Sequence, residues 1–326
     1  MQIIGVARLR RALLYCATFC MAAIACSAGA ESLPRNIQIL VPFAPGGPVD
    51  VVARLLGNRL AVRTGGTVIA VNRPGANGLV AANALLMAKP DGETLMVTGQ
   101  GLMTIAAHIQ GLPFDPLRDL TAISGLAYAD SALVVGKRVS ANNLRDFVQL
   151  AKTSQPPLAL GSGGQGNITH LYIERLKDLT KVDFLHVPYK GVGPALQDVL
   201  GGQIDGIFTG LVAAMPQIKA GQLKAMGVIG DKRSPLLPDV PTMAEQGYPI
   251  LDIGWFALIA PPRMRPEMTQ ALAEAVADIL REEETRAALA RTGLNPWPKT
   301  AEQLMRVMHD ESARWAQLIR DHNIKE

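Results

Sequence analysis

Cysteine is confined to the N-terminus. The 326 residues contain three, Cys16, Cys20 and Cys26, and none follows. Beyond residue 26 this excludes disulfides, thiolate metal sites and cysteine nucleophiles together. Charge is also scarce, at 18% of residues, and aromatics make up 5%. Of the formal net charge of +4, Arg8, Arg10 and Arg11 supply +3, so the rest of the chain balances 29 Lys and Arg (32 − 3) against 28 acids. A chain so nearly neutral, with no basic stripe interleaved with aromatics, is not built for nucleic acid. Beyond the leader no segment reaches 18 uninterrupted apolar residues, so no later membrane span is expected. No collagen, heptad or solenoid period is present. What is present is 48% hydrophobic residues, ample for a folded core, in a chain longer than the roughly 250–300 residues at which single cores stop growing. Two lobes are expected.

Residues 1–30 read as an export signal. Three arginines precede a mostly apolar run, Ala12 to Ile24, and the small-residue site Ala28-Gly29-Ala30 stands ahead of Glu31. The apolar run is shorter than the roughly 20 residues that cross a bilayer. Cleavage after Ala30 is expected. Cys26 follows Ala23-Ile24-Ala25, a poor lipobox.

Short β-rich runs then alternate with helical ones. Ile37 to Val41 is a strand, and Val49 to Leu60 has apolar residues at helical spacing. Strands are predicted at 67–71, 94–98, 132–135, 158–160, 184–187 and 204–208, and helices at 79–88, 144–151, 168–179 and 195–200. This alternation argues an α/β fold with largely parallel sheets. The last seventy residues turn helical. Pro266 opens one helix, Gly293 closes a second, and Thr300 with Gln303 makes a capping box for a third.

Val41 to Pro48 and Val187 to Pro194 share the pattern Val-Pro-aromatic, three residues, Gly-Pro. Each follows an apolar strand and enters a helix, which suggests two loops facing one another across a cleft. A glycine-rich loop entering a helix offers backbone N–H groups at the positive end of the helix dipole, an anion site that needs no charged side chain. Three candidates exist: Pro45-Gly46-Gly47, Gly161 to Gly166, and Lys190 to Gly193. Together they suit a ligand with two or more carboxylates, with Phe43 and Tyr189 as apolar walls. Gly161, Gly163 and Gly166 formally spell G-x-G-x-x-G, but Asp183 precedes the next strand instead of closing it, against a dinucleotide site.

Catalytic constellations are thin. Ser162 misses the G-x-S-x-G elbow. His170 and Glu174 are four apart with no third metal ligand in sight. Asp50 is open to two readings, a general base or an acceptor that serves the ligand or the loop. Nothing calls for a metal or an organic cofactor.

Pro42 to Arg54 (PFAPGGPVDVVAR) resembles the opening motif of the tripartite tricarboxylate transporter substrate-binding proteins, the Bug receptors. Asn72 to Gly78, Pro90-Asp91-Gly92, Ser162 to Gly166 with His170, His186 to Gly191, Gly201 to Asp205, and Asp239 to Thr242 with Glu245 to Pro249 extend the likeness across the chain in order. Glu93 and Ala82 depart from the usual pattern. The resemblance implies a type II periplasmic-binding-protein fold: two lobes with a ligand cleft between them and a helical C-terminal tail. Residues 31–130 and 253–326 would form lobe 1 and residues 131–252 lobe 2. It implies a periplasmic receptor, not an enzyme and expected to be a monomer, that delivers a small carboxylate to large and small membrane permease subunits. Its ligand-binding residues would be Phe43, Ala44, Gly46, Gly47 and Asp50 from the first loop, then Ser162, Gly163 and Gly164, then Tyr189, Lys190 and Gly191. Gln100 and Thr209, just beyond two strands, are further candidates. The alternatives are a ligand-sensing receptor for a signalling partner and a secreted enzyme acting on carboxylated substrates.

Overall fold

The computed structural model describes residues 33–325. The leader, with its cysteines and the expected cleavage after Ala30, lies outside the described residues. The strand β1 (Asn36–Val41) leads through α1 (Pro48–Thr64) to β2 (Thr67–Asn72), α2 (Leu79–Leu86) and β3 (Thr94–Gly99). One π-helical turn (Gly101–Ile105) runs into the short helices α3 (Ala106–Ile109) and α4 (Pro116–Asp119), ahead of β4 (Thr121–Ala129). Only Asp130 separates β4 from β5 (Ser131–Gly136). Next come α5 (Leu144–Thr153), β6 (Ala159–Ser162), α6 (Ile168–Thr180), β7 (Leu185–Pro188), α7 (Val192–Gly201), β8 (Gly206–Gly210), α8 (Leu211–Lys219) and β9 (Leu223–Val228). The segment 229–253 returns the chain to β10 (Gly254–Ala260), α9 (Pro266–Arg281), α10 (Glu283–Arg291), β11 (Leu294–Pro296) and α11 (Ala301–Asp321).

Two mixed sheets result, ordered β11-β4-β10-β3-β1-β2 and β7-β6-β8-β5-β9. The expectation of largely parallel sheets is corrected here. β1 is parallel to β2 and β3, and β6 to β7 and β8, but β10 and β5 run antiparallel to their neighbours. The reason is the route of the chain. Each sheet takes its antiparallel strand from a connection arriving out of the other sheet, so the strand enters from the opposite end. The two sheets therefore repeat one plan, with β1 and β6 in equivalent places between two parallel neighbours.

The strands read as continuous apolar runs because both faces are covered. Ile39, Val41, Leu95 and Val97 pack with α1 and α9, while the alternating Leu40 and Met96 pack with α2 and the start of α11. In the second sheet Leu133 and Val135 join α5 and α6 on one side; Ala132 and Val134 join α7 and α8 on the other. The long helix α11 belongs to both cores. Its Leu304 and Met308 pack under the first sheet, and its Trp315, Leu318 and Ile319 pack into the second. Its N-terminus is held by the capping box of Thr300 and Gln303, and α9 opens on Pro266.

Candidate binding site

A cavity of about 600 Å³ lies where the carboxyl ends of the parallel strands of both sheets meet. The first sheet contributes Phe43, Thr98 and Gln100, among others, and the second contributes Gly163, Gly164 and Asn167. Among the described residues, no Asp, Glu, Lys, Arg or His lines it. Its polarity comes from backbone amides and from uncharged side chains such as Thr98, Gln100, Ser131 and Asn167. The first residues of α1 (Pro48, Val49), α6 (Ile168, Thr169) and α7 (Val192) and the N-cap of α8 (Gly210) all face it. Four helices thus direct the positive ends of their dipoles at one space, with first-turn N–H groups that have no partner inside the helix. Phe43, 43% exposed, forms an apolar wall.

The turn from β1 to α1 is built on Asp50, buried in the first turn of α1. Its Oδ2 accepts from the Gly46 N–H at 3.0 Å and from Arg54 Nε at 2.9 Å, and its Oδ1 accepts from Asn72 Nδ2 at 2.8 Å. Asn72 Nδ2 also donates to the Phe43 carbonyl, so β2 braces the same turn. The Arg54 hydrogen bond, aided by those from Gly46 and Asn72, outweighs burial and holds the Asp50 carboxyl down at about 2. With both oxygens engaged by Gly46, Arg54 and Asn72, Asp50 shapes the loop.

The equivalent turn, from β6 to α6, is tied by hydroxyl and imidazole groups. Ser162 Oγ lies 2.7 Å from His186 Nε2 and accepts from the Gly164 N–H. Thr169 Oγ1 accepts from the Gly163 N–H at 2.8 Å, and His170 Nδ1 from the Gly166 N–H at 3.1 Å. The rings of His170 and His186 stack with centroids 3.8 Å apart. Burial, then the neighbouring His170, lowers His186 to about 4. Glu174 sits beyond His170 at 3.5 Å.

Of the thirteen residues expected to bind ligand, Phe43, Gln100, Gly163 and Gly164 line the cavity. Ala44, Gly46, Gly47, Asp50, Ser162, Tyr189, Lys190, Gly191 and Thr209 stand behind or beside that lining. Several of the glycine amides are already paired. Gly46 N–H goes to Asp50, Gly163 N–H to Thr169, Gly164 N–H to Ser162, and Gly191 N–H to the Gly163 carbonyl. The Tyr189 hydroxyl donates to Asp198 at 2.6 Å; burial and that carboxylate raise it to about 12. Lys190 is exposed. Thr209 is fully buried in β8, one residue short of Gly210. The likeness of 41–48 to 187–194 pairs β1 with β7, whereas the sheet order pairs β1 with β6. The shared letters reflect a shared local need, a strand end feeding a helix with proline in its first turn.

Sequence reasoning missed Thr98, Ser131, Asn167, Ile168, Thr169, Val192 and Gly210 on this lining. A signal did exist: in open α/β sheets ligands sit beyond the carboxyl ends of the strands, and Thr98 is the last residue but one of β3 while Gly210 ends β8.

Comparison with known proteins agrees with this geometry. The family model described as the tripartite tricarboxylate transporter family receptor matches residues 52–324. Protein BugT of Bordetella pertussis is 32% identical over 308 residues, covering 93% of this chain and 94% of that protein. The structure of MatC from Rhodopseudomonas palustris with bound malate superposes with a TM-score of 0.72 at 31% identity, over 87% of this chain and 99% of that one. A second R. palustris structure, with adipate, gives a TM-score of 0.77 at 28% identity, over 91% and 100% of the two chains.

Proposed function

We propose a function from this premise: the chain belongs to the tripartite tricarboxylate transporter receptor family, and its fold is that of the periplasmic binding proteins. The protein captures a small carboxylate and delivers it to a membrane permease of large and small subunits. One observation carries the reading: a cavity bounded by four helix N-termini and, among the described residues, by no charged side chain. Such a site stabilises an anion through oriented N–H dipoles, while a cation there meets repulsion and no counter-charge. Two relatives hold malate and adipate, acids small enough for a cavity of about 600 Å³. No lining group among the described residues is a carboxylate, imidazole or amine, so capture fits the site better than turnover.

We take the two sheets as two lobes, residues 31–130 with 253–326 and residues 131–252. Closure would be a hinge at the two crossings, Asp130 and the segment 229–253. There the buried Ser234 hydroxyl donates to the Asp130 carboxylate and links the crossings side by side. Ligand touching both walls would shift an open–closed equilibrium.

The test is a thermal-shift screen with mono-, di- and tricarboxylates, on protein first unfolded and refolded to strip carried-over ligand. An acid at 100 times its dissociation constant adds about 2.7 kcal/mol, several degrees in midpoint for a chain of this size. Neutral amides and amines of equal size are expected to give no shift. If no acid raises the midpoint, the carboxylate reading is lost. Delivery is tested separately, by deleting the membrane subunits: loss of uptake of the identified acid supports it, and intact uptake assigns the receptor to sensing.

A further inference from the structure

We infer that the cavity selects a carboxylate that also carries an uncharged hydroxyl, received jointly by Gln100 and Thr98; this rests on the carboxylate-receptor reading above. Five buried side-chain polar atoms among the described residues have no hydrogen-bond partner, and two of them, Gln100 Oε1 and Thr98 Oγ1, belong to residues on the cavity wall. Gln100 is 3% exposed and Thr98 is fully buried. Thr98 is the penultimate residue of β3 and Gln100 the first residue beyond it, and both belong to the cavity lining.

Glu311, buried in α11, fixes which way the Gln100 amide points. Its Oε2 accepts from the Trp255 indole N–H at 2.9 Å and from Gln100 Nε2 at 3.0 Å. An indole N–H only donates, so Oε2 is the unprotonated oxygen and Gln100 turns its NH2 group toward it. The amide oxygen is left buried and without a partner, on a residue of the cavity wall. A buried acceptor beside a buried hydroxyl is matched by a group that both donates and accepts, and a hydroxyl is the smallest such group. A second carboxylate oxygen has no hydrogen to offer Gln100 Oε1. An ammonium would need a negative partner. Burial keeps Glu311 protonated up to about 8, and the helix dipoles oppose a cation. The carboxylate therefore faces the helix N-termini and the hydroxyl faces the end of β3.

Isothermal titration calorimetry with paired acids tests this on the full-length gene product. Suitable pairs are malate with succinate, citrate with tricarballylate, 3-hydroxybutyrate with butyrate, and 4-hydroxybenzoate with benzoate. In at least one pair the hydroxy acid is expected to bind about 10- to 100-fold tighter, the cost of leaving buried polar groups unpaired. Thr98→Val and Gln100→Met should each shrink that gap between hydroxy and deoxy acid. If Gln100→Met does not fold, Thr98→Val and the wild-type pairs still decide. Deoxy acids that bind as well as their hydroxy partners in every pair, or a gap untouched by both variants, overturn the hydroxyl inference and leave the receptor reading standing. Failure of every acid to bind overturns both.

Discussion

At the end of β1, the turn into α1 hangs on an ionised carboxylate, with Asp50 gathering the Gly46 N–H, Arg54 and Asn72. At the end of β6, the equivalent place in the other sheet, the turn into α6 is gathered by Ser162, Thr169 and the stacked pair His170 and His186. One position in the sheet plan thus uses two chemistries for the same task, pinning loop amides so that the following helix points at the cavity. The first depends on a charge that persists to strong acid. The second depends on the His186 imidazole remaining neutral. The walls should therefore respond differently to pH, and the difference can be measured.

The largest expected effect lies behind the first wall. Burial, with the neighbouring Asp252 adding, raises Glu311 to about 8 from an ordinary 4.5. Between those values the unfolded chain has released a proton that the folded one keeps, so stability falls as pH rises from 4.5 to 8. The shift corresponds to ~3 kcal/mol after allowance for relaxation of the site. In Glu311→Gln, chemical denaturation across that range should show a flatter profile; an unchanged slope would place the titration elsewhere. Next, Asp50→Ala leaves the Gly46 N–H and the Asn72 amide without their acceptor, a loss of ~2 kcal/mol measured in the same way at neutral pH. If the loss is under half that, the charge is not what holds the first turn.

The second wall should fail in acid. His186 titrates at about 4 in the folded chain and at about 6.5 when unfolded. A lowered imidazole gives stability that is complete above 6.5 and lost as pH falls toward 4. The expected loss is ~1–2 kcal/mol, below the full shift because the ring is only partly buried. His186→Gln should remove this acid-side slope, and Asp50→Ala should leave it intact; if both variants flatten it, the two turns are coupled and the contrast drawn above breaks. The smallest effect separates two adjacent glycines. Gly46 has φ +90° with open space around its Cα, and Gly47 is extended at φ −77°. Gly46→Ala should cost ~1 kcal/mol through backbone strain alone, and Gly47→Ala close to nothing. Equal midpoints for the two variants would show that the first turn tolerates rearrangement.

Much of the fold was legible locally. Ile37 to Val41 reads as a strand because both of its faces are apolar, and Pro266, Gly293, Thr300 and Gln303 mark helix ends through interactions confined to a few residues. The glycine motifs were also legible as turns. Their partners were not, because Asp50 with Asn72, or Ser162 with His186, lie more than twenty residues apart and meet only through strand pairing. Hence Asp50, Ser162 and Tyr189, expected as ligand contacts, lie off the cavity lining. Thr98 and Asn167 took places on its wall instead. β10 and β5 were invisible as antiparallel strands for the same reason, since strand direction belongs to the route between sheets and not to any window of sequence.

The sequence by itself determined the α/β alternation, the helix caps, the turn positions and the family, all of which rest on residue type and short-range spacing. The tertiary structure decided which ends of which helices converge, which amides are already paired, and which two buried oxygens, on Thr98 and Gln100, are left without partners beside the cavity. Those are relations between segments distant in the chain, fixed only when the packed cores bring strand ends and helix N-termini to one place.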